Sequence, residues 1–159
     1  MTTTKKYPLL FGFREPIFGR KFVAGVKLHG RAMAEDEGDD GWWIYGVTPG
    51  ALTDTGSTLV EAMTAFRQRL KAVLVDYAAE ATDFASFKVH VSAFLKAVDE
   101  DANQEWEAAR KAVRAGKVDV EGLGLQRETA PGIPSFEVVE LVLEPSANSL
   151  NADGSSLAA

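Results

Sequence analysis

The chain contains no cysteine, which excludes disulfide staples, thiol catalysis and cysteine-ligated zinc or iron–sulfur centres. Histidine is nearly absent too: His29 and His90 are the only two. They fall on different predicted elements, without the H-x-x-x-H spacing of a helical zinc site, and read as structural or surface residues. No G-x-S-x-G nucleophile elbow occurs, so a strained hydrolase serine is not encoded. The nearest thing to a glycine loop, Gly122-Leu123-Gly124-Leu125, opens no helix whose amides would cradle phosphate and reads as a connector. No apolar run approaches the roughly 18 residues that a membrane-spanning helix needs. The apolar patch near the N-terminus is interrupted by Arg14, Glu15 and Pro16, too early for a signal-peptide core. A cytoplasmic protein is the expectation.

A basic excess is also missing. Lysine and arginine number 17 against 23 acids, for a net charge of −6. Arg67, Arg69, Lys71, Arg110, Lys111, Arg114 and Lys117 are spread among acids on predicted helices and form no basic stripe of the kind that releases counterions from phosphate. Direct binding of DNA or RNA is therefore disfavoured. What remains is an ordinary globular composition, 159 residues with 46% hydrophobic, enough to bury a core without staples. One domain is expected over residues 1–144. The small, polar segment 145–159 reads as a flexible tail.

Periodicity supplies the elements. Lys21–Ala32 alternates, with Phe22, Ala24, Val26 and Leu28 on one side and Val23, Lys27, His29 and Arg31 on the other, as a half-buried strand does. An acidic, glycine-containing run from Glu35 to Gly41 leads into Trp42-Trp43-Ile44-Tyr45-Gly46-Val47, whose aromatic and β-branched content predicts the second strand of an antiparallel hairpin. Tyr7–Phe13 can add an edge strand, weakened by Pro8. Pro49-Gly50 ends the second strand. Thr58 with Glu61 three residues on forms a capping box, and Leu59, Ala62, Met63, Phe66, Leu70, Val73, Leu74 and Tyr77 then recur at helical spacing. A second helix is predicted from an Asp83 cap through Phe84, Phe87, Val91, Phe94 and Leu95. A third, capped by Asp101 or Asn103, runs through Trp106, Ala109 and Val113 to Gly116. Residues 122–134 read as loop and Ser135–Leu143 as a last strand. The order strand–strand–helices–strand predicts an α+β fold, a small antiparallel-rich sheet with helices on one face.

Alternation along the second strand puts Trp42 and Ile44 on one face and Trp43 and Tyr45 on the other. With helices over one face, the aromatics of the opposite face must meet a second subunit, a protein partner, or the N-terminal segment with Phe11, Phe13 and Phe18. Aromatics are enriched at interface hot spots, which makes Trp43 and Tyr45 candidate partner-binding residues. Glu35, Asp36, Glu37, Asp39 and Asp40 have no calcium-loop spacing and read as a solvated hairpin tip.

Within residues 39–74, Gly41, Trp42 and Trp43, then Pro49 and Gly50, then Gly56, Ser57, Thr58, Glu61 and Ala62 together resemble the HicB-like antitoxin family. The likeness implies a partial RNase H-like fold. It also implies a non-enzymatic function: an antitoxin or inhibitor that masks a protein partner, such as a small basic RNase toxin or a defence effector, and works as a homodimer without cofactor or metal. The loop before Thr58 is longer than the family's, the helical region 82–116 is additional, and no ribbon-helix-helix or helix-turn-helix segment follows the last strand, so operon autoregulation is not implied. On this reading Trp43 and Tyr45 make the contact, and Glu37, Asp39 and Asp40 steer a basic partner. Two alternatives belong to other classes. One is a metal-dependent nuclease or hydrolase on the same scaffold, drawing on Glu61, Asp76 and Glu140; the other is a structural oligomer subunit.

Overall fold

The computed structural model describes residues 4–118, 120, 123 and 132–142. The expected tail at 145–159 and most of the expected loop at 122–134 lie outside these residues. Strand β1 (Lys5–Phe18) and strand β2 (Val23–Asp36) form a long antiparallel hairpin, paired from Lys5 opposite Asp36 to Phe18 opposite Val23. A 3-10 turn, Gly38–Asp40, leads to β3 (Trp42–Thr48), which pairs antiparallel with the Arg31–Asp36 half of β2. The short β4 (Thr53–Gly56) continues the sheet beyond β3. Three helices follow, α1 (Leu59–Glu80), α2 (Phe84–Leu95) and α3 (Glu100–Arg114). The last strand, β5 (Ser135–Leu141), returns to β2 and pairs antiparallel with its Val23–His29 half. One edge of β2 is thus shared end to end by β5 and β3. The fold is α+β, as the pattern of elements predicts.

The main core lies on one sheet face. Tyr7, Leu9, Phe11, Phe13 and Ile17 of β1, and Ala24, Val26, Leu28, Ala32 and Ala34 of β2, are all buried there. They meet Leu59, Ala62, Phe66, Leu70 and Leu74 of α1 and Phe87, Val91 and Leu95 of α2. The alternating residues of the strands and the 3.6-residue stripes of the helices therefore form one apolar layer. Phe11 and Phe66 pack edge to face with centroids 5.2 Å apart, a geometry that adds to simple area burial. Phe11 and Phe13 thus belong to this core, not to the Trp43 face.

The expectation of helices on one face fails for α3. A smaller cluster on the opposite face joins Met33, Val47, Ala102 and Trp106, with Tyr45 and Ala109 against it. The chain changes faces at the end of β3, where the Gly50 amide donates to the Ala97 carbonyl (3.0 Å) and the Asp99 amide to the Val47 carbonyl (3.0 Å). Asp99 is also the true cap of α3, its carboxylate accepting from the Ala102 amide at 3.0 Å, in place of the expected Asp101 or Asn103. The other caps are as expected. Thr58 Oγ1 accepts from the Glu61 amide and Asp83 from the Ser86 amide, and Gly116 closes α3 at a φ of 74°.

Candidate functional site

Aligned in register, the face opposite the main core presents Lys6, Pro8 and Leu10 of β1, Arg31, Met33 and Glu35 of β2, and Trp43, Tyr45 and Val47 of β3. Helix α3 covers part of it. Trp106 is the anchor, 2% exposed, and its indole N–H donates to the Leu9 carbonyl at 3.1 Å. The Arg31 guanidinium stacks 4.1 Å from the Trp106 ring centroid, and Arg110 lies 5.5 Å from it, a cation–π arrangement. The same Arg31 donates to Asn103 Oδ1 (3.0 Å), Glu107 Oε1 (3.1 Å) and the Gly132 carbonyl (2.8 Å). One planar fork thereby ties strand, helix and the approach to β5 together.

Beside it sits a second polar cluster. Glu105 Oε2 accepts from Tyr45 Oη at 2.9 Å and from Lys6 Nζ at 3.0 Å. Glu35 Oε1 lies 3.0 Å from the same phenol and 3.3 Å from the same ammonium. Hydrogen bonding to Lys6, then to Tyr45, holds the Glu105 carboxyl below the usual carboxylate range. The bond to Glu105 raises Lys6, partly opposed by desolvation. Burial, followed by the bond to Glu105 and the charge of Glu35, pushes the Tyr45 phenol far above its ordinary value. Tyr45 is therefore a neutral donor fixed between two carboxylates.

The five residues expected to meet a partner divide into two groups. Trp43 is 45% exposed, beside but not under α3. Its strand neighbour Tyr45 is half-buried and committed to Glu35 and Glu105. Glu37, Asp39 and Asp40 lie at the hairpin tip, where Gly41 adopts a φ of 89° that favours glycine. Asp39 and Asp40 are exposed. The Glu37 carboxyl is raised by its hydrogen bond with Glu35, then by slight desolvation and by the charges of Glu35, Asp40 and Asp36. Glu35 belongs to both clusters, which places tip and Trp43 on one continuous surface; Glu35 and Trp43 are cross-strand neighbours.

Among the described residues no three Asp, Glu or His side chains lie close enough to hold a metal ion. Glu61 caps the Ser57 amide at the start of α1, Asp76 lies further along that helix and Glu140 is on β5. Both histidines are exposed. The residues that sequence reasoning missed are Lys6, Arg31 and Glu105. Their partners lie 99 residues apart for Lys6 and Glu105 and 72 apart for Arg31 and Asn103, so local pattern carries no trace of them.

No protein-family model, curated protein or solved structure matches this chain.

Proposed function

We propose that the chain is a non-enzymatic protein–protein interaction module, an antitoxin-like inhibitor of HicB type that masks a basic protein partner and works as a homodimer. The observation that carries this reading is the juxtaposition of an exposed indole, Trp43, with the anionic tip formed by Glu37, Asp39 and Asp40. An exposed tryptophan supplies a large apolar anchor at an interface, and a nearby block of one charge sign steers a partner of the other. Tyr45 acts behind Trp43: fixed by Glu35 and Glu105, it holds that strand face in one arrangement before a partner arrives. No helix among the described residues is long and apolar enough to cross a membrane; a cytoplasmic setting is part of the proposal.

The test is affinity capture by the tagged full chain from native lysate of its source, at low and at high salt. A stoichiometric basic protein is expected, lost with Trp43→Ala. The doubly reversed tip, Asp39→Lys with Asp40→Lys, slows its association roughly tenfold or more at low ionic strength, within the range electrostatic steering spans. If both variants capture the same protein as well as the parent chain does, this surface is not the masking surface.

A further inference from the structure

Among the described residues the sheet has three outer edges, and they differ in chemistry. The edge formed by β1 contains Pro8 and Pro16, which offer no N–H, together with Lys5, Lys6 and Arg14. Its Leu9 carbonyl is taken by the Trp106 indole and its Gly12 carbonyl by Arg67 from α1. Prolines, charges and covering side chains are how edge strands avoid pairing with other chains. The edge formed by β4 is four residues long and packed under α1, whose Arg69 pairs with Asp54 at 2.9 Å.

Strand β5 is less protected, its only charges being Glu137 and Glu140. Ser135–Leu141 contains no proline, lysine or arginine, and among the described residues its main chain pairs only with β2. Val138 is buried in the core, while Phe136, Val139 and Leu141 are exposed, as is Val142 beyond the strand end, at 79%. Strands β3 and β4 lie past the Arg31 end of β2, leaving Phe136–Val142 clear of them.

We infer that this edge pairs with the same strand of a second copy, antiparallel about a two-fold axis at Val139. The inference deepens the homodimer in the proposed function and rests on it. Register follows from symmetry and charge. A two-fold axis perpendicular to the sheet keeps each face on its own side, so paired residues share a face and the axis passes through one residue. An axis at Glu137 or Glu140 sets a glutamate directly against its own copy, which is destabilising. An axis at Val138 sets Phe136 against Glu140 and leaves Leu141 against Ser135. An axis at Val139 sets Val139 against itself and Phe136 against Val142, covering the most exposed side chain of this segment with an aromatic ring. No glutamate then faces a glutamate directly: Glu137 faces Leu141 and Glu140 faces Val138. The result continues the sheet across the axis as β1–β2–β5 followed by the same three strands reversed.

The chain has no cysteine of its own, so one introduced thiol reports on the axis. Residues facing each other across the axis have Cα atoms about 4.5–5.5 Å apart, within disulfide reach. In Leu141→Cys the two thiols would lie about 14 Å apart along the strands, beyond it. Light scattering on the purified chain is expected to give twice the 17.2 kDa of one copy. Mild oxidation should cross-link Val139→Cys and not Leu141→Cys, and Val139→Glu should return the chain to monomer. A monomeric parent chain overturns the homodimer altogether. A dimer that fails to cross-link at position 139, or that survives Val139→Glu, keeps the homodimer and overturns this interface. Partner capture is read separately from all of these outcomes.

Discussion

Trp106 does three things at one position: it fills the second core, caps a carbonyl of an edge strand and receives the Arg31 guanidinium on its face. These contributions separate by substitution. Trp106→Ala removes all three and should cost about 3–5 kcal/mol, the usual range for emptying a buried aromatic site. Trp106→Phe keeps most of the apolar body and the ring face but leaves the Leu9 carbonyl without its donor, an expected loss of about 1–3 kcal/mol. Urea denaturation of the two variants measures the difference. Equal losses would mean that the indole N–H, not the packing, holds α3 in place. Neither effect is visible in the sequence, where Trp106 reads only as one member of a sparse apolar stripe. The Trp43 and Tyr45 pair was legible, because strand alternation is a local rule that needs no knowledge of neighbours. That Tyr45 is sequestered was not, since Glu105, itself held by Lys6 of β1, reaches it from a helix 60 residues along the chain.

Among the elements, the corner between β4 and α1 shows why its sequence signature has the form it does. A Cβ on Gly56 would collide with the Ala62 main chain, so the strand approaches the helix start only because that position has no side chain. Thr58 and Glu61 then satisfy amides of the first turn, Glu61 Oε2 reaching back to the Ser57 amide at 3.0 Å. Thr58→Ala should cost about 1 kcal/mol as a lost cap. Gly56→Ala should cost more, about 1–3 kcal/mol, because backbone must shift to admit the methyl. The reverse ranking in thermal or urea unfolding would refute the close-approach account. Helix α1 was legible from its stripe and caps, β2 from alternation and β3 from its aromatic and β-branched content. Strand β4, Thr-Asp-Thr-Gly, was not, being too short and too polar to show any period. Strand β1 runs beyond the expected Tyr7–Phe13 to Lys5–Phe18, since an edge position tolerates Pro8 and Pro16. The side chosen by α3 escaped prediction because helix periodicity shows which stripe is buried and not which face of the sheet receives it.

The whole molecule should be sensitive to pH through the cluster that docks α3. Glu105 has its folded-state pKa depressed, so the stability it lends is present above the ordinary carboxylate value and is lost as pH falls through the lower, folded value. Lys6 and Tyr45 have theirs raised. Their contribution is complete below the unfolded values and falls as pH rises past them, from roughly pH 10 upward. Docking of α3 is therefore strongest across the neutral range and weakens toward both extremes. Glu37 acts in the opposite sense on the acid side: its raised pKa means that ionisation opposes the folded tip at neutral pH and that protonation relieves it. The Lys6 and Glu105 side chains are 40% and 46% exposed, so screening limits the pair to about 0.2–1 kcal/mol. Glu105→Gln should accordingly flatten the loss of stability between about pH 5 and 3, and should lower stability at pH 7 more at low salt than at high. Tyr45→Phe should flatten the alkaline limb instead, and the phenolate absorbance of the parent chain should show one tyrosine withheld from titration until the protein unfolds. An acid limb unchanged in Glu105→Gln would move the docking energy of α3 from this cluster to Trp106 and Arg31.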